Sequence, residues 1–302
     1  MRENDIFEQK KEKTYAPGVS ADIGSSVDIS QVHGGYFSNP ERAQEFAVLG
    51  LDLAEKDLPH EVRYADFGGG EGFLAQYVTK YLESKGHVVH SNVIDGNEHY
   101  LQIAEEKTKI KGIVADLRTY QNDELYDLIT TRAVYHYNSL EDQKLIMQNI
   151  RKQLASDGVY VNQLSSGTDA NCELRTTLVN SPLLIHGVGG KGYHWTSIRE
   201  YQEMAEKSGF RNTKLMGYAK ANGWEPEEQW ERMNGVKLKR AQEQGDELFV
   251  EELKQHKEIY LKWANDIITE YIKKYGELES NVVPTQSSYV VHYEYPIFIS
   301  RP

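Results

Sequence analysis

A chain of 302 residues with a formal net charge of −12 exceeds a minimal domain, and its acidity argues against a broad phosphate-binding face. The single cysteine, Cys172, excludes an internal disulfide and fits a reducing compartment. No run approaches a membrane span and the opening MRENDIFEQKKEKTY lacks the apolar core of a secretory signal, so a cytoplasmic protein without membrane partners is expected.

Residues 1–20 are charged and end in YAPGVS, which predicts an arm or lid. Asn39-Pro40 predicts a helix start, because Asn caps and Pro fits the first turn; Ala43, Phe46, Ala47 and Leu51 then recur at helical spacing. From there strands and helices alternate: strand 62–67, helix 72–84, strand 88–94, helix 97–107, strands 112–115 and 126–131, helix 140–154, strand 158–164. Alternation of this kind predicts an α/β fold, a doubly wound and mostly parallel sheet covered on both faces. Ligands bind beyond the carboxyl ends of such strands, where Asp66, Asp95, Asp116 and Thr131 fall. Residues 165–194 read as loop-rich, followed by a helix over 196–208 and a strand over 211–219. The stretch 224–277 reads as two helices, the second striped by Phe249, Leu253, Ile259, Tyr260, Trp263, Ile267, Ile268 and Tyr271. SSYVVHYEYPIFIS closes the pattern as a strand. The expected organisation is an N-terminal arm and helix (1–58), a core (59–223), a helical insertion (224–280) and a last strand returning to the core (281–302).

The segment Asp66 to Gly72 reads D-x-G-x-G-x-G at the junction of the first strand and its helix. Glycines there let the backbone turn tightly and approach a ligand, and the helix start offers free N–H groups to an anionic moiety. Gly70-x-Gly72-x-x-Ala75 also satisfies a dinucleotide fingerprint, so an NAD-dependent oxidoreductase stays open at this point. A carboxylate at Asp66 sits badly beside a pyrophosphate and better beside an ammonium and a sulfonium.

The glycine segment resembles motif I of class I S-adenosylmethionine-dependent methyltransferases, and NVIDGNEHYLQIAEEK, IKGIVADLRTY and LYDLITTRAVYHYNSLEDQKLIMQNIRKQLASDGVYVNQL resemble the segments that follow in that family. The resemblance covers roughly residues 60–220 and returns at the last strand. It implies a Rossmann-like seven-stranded sheet with an antiparallel last strand, and S-adenosylmethionine as cofactor with S-adenosylhomocysteine as product. It further implies that Gly68, Gly70 and Gly72 approach the cofactor, that Asp95 holds the ribose hydroxyls, and that Asp116 meets the adenine amino group while Leu117 supplies its N–H. Gly96, Thr131 and Arg132 complete the expected cofactor set. The chain departs from the family in having Asp157-Gly158 where Pro-Gly-Gly is usual, and in the helical pair that interrupts the final hairpin. A cap over the substrate, a homodimer surface and simple packing are the three readings of that pair.

Methyl transfer is an in-line displacement in which the cofactor carries the hard chemistry and the protein positions the nucleophile and removes a proton where needed. His136, after the fourth strand, is the candidate base, since imidazole titrates near neutrality; a packing or orienting role is equally compatible. His194 is a second candidate. Tyr137, Trp195, His33 and Tyr36 are candidate substrate residues. Asp169 and Asn171 could offer oxygens to magnesium, but the partner carboxylate after the fourth strand is missing and no metal is expected. The expected function is transfer of a methyl group to O or N of a small-molecule acceptor, a class that takes in aromatic and specialised metabolites. A protein or RNA methyltransferase and a cofactor-binding partner subunit without activity are the alternatives, RNA being disfavoured by the acidity.

Overall fold

The computed structural model describes residues 38–184 and 192–302. The arm expected over residues 1–20 and the candidates His33 and Tyr36 lie outside the described residues. Five strands are parallel: β1 (Glu61–Phe67), β2 (Val88–Asp95), β3 (Lys111–Val114), β4 (Tyr126–Arg132) and β5 (Leu154–Gln163). After them come β6 (Asn212–Trp224), the short β7 (Val282–Pro284) and β8 (Tyr289–Arg301). The sheet order is β3-β2-β1-β4-β5-β8-β6, with β8 antiparallel to both neighbours and β7 paired to β8. The expected seven strands are present, and β7 is an addition. A dinucleotide-binding sheet instead runs 3-2-1-4-5-6 in parallel, so the NAD reading of Gly70, Gly72 and Ala75 loses its structural context.

The strands are apolar on both faces, as a covered parallel sheet requires. Side chains alternate with period two: Tyr64, Leu128, Val161 and Ile297 enter one cluster, while Ala65, Phe67, Ile129, Tyr160 and Phe298 enter the other. The first face is covered by α1 (Pro40–Phe46), a π-helical stretch (Ala47–Leu51), α2 (Phe73–Ser84) and α3 (Glu98–Thr108). On the opposite face lie α4 (Leu140–Gln153), through Ile146, Met147 and Ile150, and the later helix Ile198–Lys207, through Tyr201, Met204 and Ala205.

Residues 169–179, expected as loop, form a helix, α5 (Asp169–Val179). Thr168 caps it by accepting the Asn171 amide, and Cys172, Leu174, Arg175, Leu178 and Val179 are buried. The mixture of Asn, Thr and charged residues around those apolar positions hid the helical period. Asp169 pairs with Arg199 at 2.8 Å, and the Asn171 amide donates to the Ser280 and His292 carbonyls. β5 starts four residues earlier than expected, pairing Leu154 with Tyr126 across a bulge, and β6 extends to Trp224.

Helix Ile198–Lys207 is α6, and the helical pair is α7 (Pro226–Gln244) and α8 (Glu247–Ser280), turned at Gly245, whose φ is 70°. Trp230, Leu253, Tyr260, Ala264 and Ile268 enter the same apolar cluster as Val161, Tyr293 and Tyr295. Of the three readings of the pair, packing against the core is the one with direct contacts behind it.

Candidate functional site

Gly68, Gly70 and Gly72 adopt φ of 73°, 53° and 75°, a region that side chains with a Cβ rarely enter. At Gly68 space is also short: an added Cβ would lie 2.5 Å from Val134 Cγ2, so the turn after β1 is pressed onto the turn after β4. Gly72 caps α2 without a side-chain acceptor, whereas Asn97, Ser139, Thr168 and Ser197 cap their helices with one. Of the first amides of α2, that of Ala75 serves Asp66, and those of Phe73 and Leu74 have no side-chain cap.

Asp66 is buried beneath this turn. Its register partner on β4, Thr130, donates its hydroxyl to Oδ1 at 2.7 Å, while Oδ2 lies under Gly69 with no hydrogen bond of normal geometry. Burial raises its pKa to about 7, offset in part by Thr130, the Arg132 charge and the Ala75 amide. Asp95, half-buried at the end of β2, accepts from the Gly70 amide at 3.0 Å and the Asn97 amide at 2.9 Å. Burial raises its pKa too, and the Asn97, Gly70 and Gly96 amides oppose that rise. The glycine turn and the end of β2 are thereby one unit.

Beyond β3, the Asp116 carboxylate is gripped by Arg118, whose Nε is 3.0 Å from both oxygens and whose Nη2 is 2.6 Å from Oδ2. Arg118 reaches on to Asp142 at 2.8 Å, tying this turn to the first turn of α4. The Leu117 carbonyl accepts from Asn149. Thr131 is fully enclosed, its hydroxyl shared with Asn162 and Tyr160, so its side chain works inside the sheet and not at a ligand. Just past this strand end Ala133 takes a left-handed φ of 57° without being glycine. Such backbone strain is seldom kept without a reason.

His136 follows in a short 3-10 turn, Tyr135–Tyr137, and is 4% exposed. Its ring stacks on Trp195 at 5.1 Å and lies 4.1 Å from the Tyr137 ring. Tyr193 meets Tyr137 and Trp195 edge-on, and burial pushes the Tyr137 hydroxyl pKa above its usual range. Three of the expected residues, His136, Tyr137 and Trp195, are thus one aromatic group. His194 is engaged elsewhere: its Nε2 lies 3.4 Å from Glu200, within the capping box of α6, and holds that carboxyl below its usual range. Sequence reasoning missed Arg175, which lies over the Trp195 and Tyr293 rings; it falls in the segment read as loop.

Residues 65–162 match a family described as a methyltransferase domain. They begin within β1 and end within β5, so the match contains the glycine turn, Asp95, Asp116 and His136. Among solved structures, a Bacillus halodurans protein provisionally assigned as a methyltransferase shares 15% identity over 85% of this chain and 97% of its own, with a TM-score of 0.56. The YcgJ protein of Bacillus subtilis shares 13% over 85% of this chain and 98% of its own, with a TM-score of 0.55. At such identities the likeness is one of fold. No curated protein matches the sequence. Among the described residues, no helix is long and apolar enough to cross a membrane.

Proposed function

We propose that the chain transfers the methyl group of S-adenosylmethionine to an O or N atom of a small-molecule acceptor. The observation that carries this reading is the Asp95 carboxylate, fixed by the Gly70 and Asn97 amides beside three left-handed glycines. Two backbone donors orient the carboxylate and leave further lone pairs for ribose hydroxyls. The glycine turn fits a ligand approaching the backbone closely, and it packs tightly on the protein, since a Cβ at Gly68 would meet Val134 and one at Gly72 would meet Ala104. Asp116 is assigned to the adenine edge, with its carboxylate orientation set by Arg118. Burial raises the pKa of Asp66 beneath the turn to about 7, and the approach of the cofactor's ammonium would favour its ionised form. When bound, the cofactor supplies a methyl group already activated by its sulfonium.

The protein's own part is positioning and proton removal. His136 sits behind the Gly68–Val134 contact, held by Trp195 and Tyr137, and is the group assigned to take the acceptor's proton. His194 is assigned to hold the start of α6 through Glu200. Calorimetric titration with S-adenosylmethionine, S-adenosylhomocysteine and NAD tests the reading. Micromolar binding of the first two and none of NAD is expected; binding of NAD alone would overturn it.

A further inference from the structure

Arg175 is 2% exposed, yet its hydrogen bonds run only to neutral oxygens: Nη1 donates to the Ser166 carbonyl at 3.2 Å and Nη2 to the Ser165 hydroxyl at 2.7 Å. Its Nε makes no hydrogen bond. Arginines 42, 63, 118, 199 and 301 each pair with a carboxylate, whereas Arg175 pairs with none among the described residues. Aromatic rings cover it instead, Trp195 with its centroid 5.0 Å away and Tyr293 at 4.5 Å. Rings and neutral oxygens offset only part of the cost of burying a full charge. Burial lowers the pKa to about 10, which still leaves the guanidinium charged at neutral pH.

Its place in the fold says where an anion would come from. Ser165 and Ser166 follow the carboxyl end of β5, and Trp195 lies between Arg175 and His136, in ring contact with both. The cation is one aromatic layer away from the assigned proton acceptor. We propose that Arg175 recognises an oxyanion, a carboxylate in the first place, on the methyl acceptor, so that the substrate is a small acid whose accepting atom lies about one ring away from that group. This rests on the methyltransferase reading. A planar guanidinium fork matches a carboxylate with two donors, a geometry that an ammonium does not reproduce.

Calorimetric titration of the full chain with benzoate, benzamide and inorganic phosphate, each in the presence of S-adenosylhomocysteine, tests the proposal. Benzoate should bind roughly tenfold or more tightly than benzamide, the range expected for hydrogen bonds to a charged group. Arg175→Met should remove that preference, leave S-adenosylhomocysteine binding unchanged, and melt no lower than the wild type, because an uncompensated charge has been taken out of the interior. Should the Met variant fail to fold, Arg175→Lys keeps the charge without the fork and should still weaken benzoate but not benzamide. Tighter binding of phosphate than of benzoate supports the oxyanion site and assigns it to phosphate esters. Equal binding of benzoate and benzamide, binding of neither anion, or unchanged benzoate binding in the Met variant overturns the proposal. Loss of S-adenosylhomocysteine binding by the wild type with benzoate binding intact would instead sink the methyltransferase reading.

Discussion

Two carboxylates within a few residues of the same turn illustrate how environment divides one residue type into two tasks. Asp66 is enclosed and its pKa is raised to about 7, against 3.8 for the free group. Because the folded pKa is the higher one, this aspartate favours folding most below pH 3.8, and that contribution is lost as pH rises through about 7. The range is worth about 4 kcal/mol. Urea midpoints at pH 5 and pH 8 should therefore fall further apart in the wild type than in Asp66→Asn; equal gaps would show that the carboxyl is not held neutral. Asp95, by contrast, is fixed by backbone amides and faces the glycine turn. Asp95→Ala should weaken S-adenosylmethionine binding by roughly 1–3 kcal/mol, the cost of leaving hydroxyls unpaired, as read by calorimetry. Both aspartates were legible in the sequence because they stand at the ends of apolar strands. Arg175 was not, since nothing in a single sequence distinguishes a cation that will be buried without a counter-charge from one that will be solvated. Thr131 was misleading for the converse reason: a strand-end position does not say which face a hydroxyl serves, and here Tyr160 and Asn162 take it.

Among the elements, the glycine turn was the easiest to read and is the least tolerant of change. Gly68→Ala would put a Cβ into Val134 at a φ of 73°, so either the β1 turn or the turn leading to His136 must move. We expect cofactor affinity to fall about tenfold or more while the core helices keep their far-ultraviolet signal, since the strain is confined to the loops. Wild-type affinity in this variant would mean that the two turns are not coupled. α5 escaped the sequence reading because its Asn and Thr residues, poor interior helix formers, are held by tertiary contacts. The helical pair was legible as helices, but its role was not, because an apolar stripe says that a face is covered and not by what. Its Tyr260 hydroxyl is fully enclosed and has no hydrogen-bond partner, and burial raises its pKa. Tyr260→Phe should therefore stabilise the protein, by about 1 kcal/mol in a denaturant titration, because an unpaired polar atom leaves the interior. Destabilisation would reveal a partner for that hydroxyl and a more polar setting for α8.

At the scale of the whole molecule, the alternation of strands and helices made the parallel half of the sheet predictable, since each βα unit is local in sequence. The antiparallel half depends on pairings across long separations: Asn212 lies opposite Arg301, and Trp224 opposite Val291. The helical pair that stretches this connection also joins the core it interrupts, through Trp230 and Tyr260. β8, the last strand in sequence, sits inside the sheet between β5 and β6, and β6 pairs with no other strand. During synthesis the ribosome must therefore deliver residues 289–301 before β6 has any ladder to join. In the interval β5 presents an open strand edge beside the completed parallel half, the kind of edge that invites aggregation and chaperone binding. Pulse-labelled hydrogen exchange during refolding should find β6 and β8 amides protected together and later than those of β1 and β4. Early protection of β6 alone would show that it finds another partner first. The antiparallel side of this sheet is finished from its latest-made piece, which makes the timing of translation part of how the fold is reached.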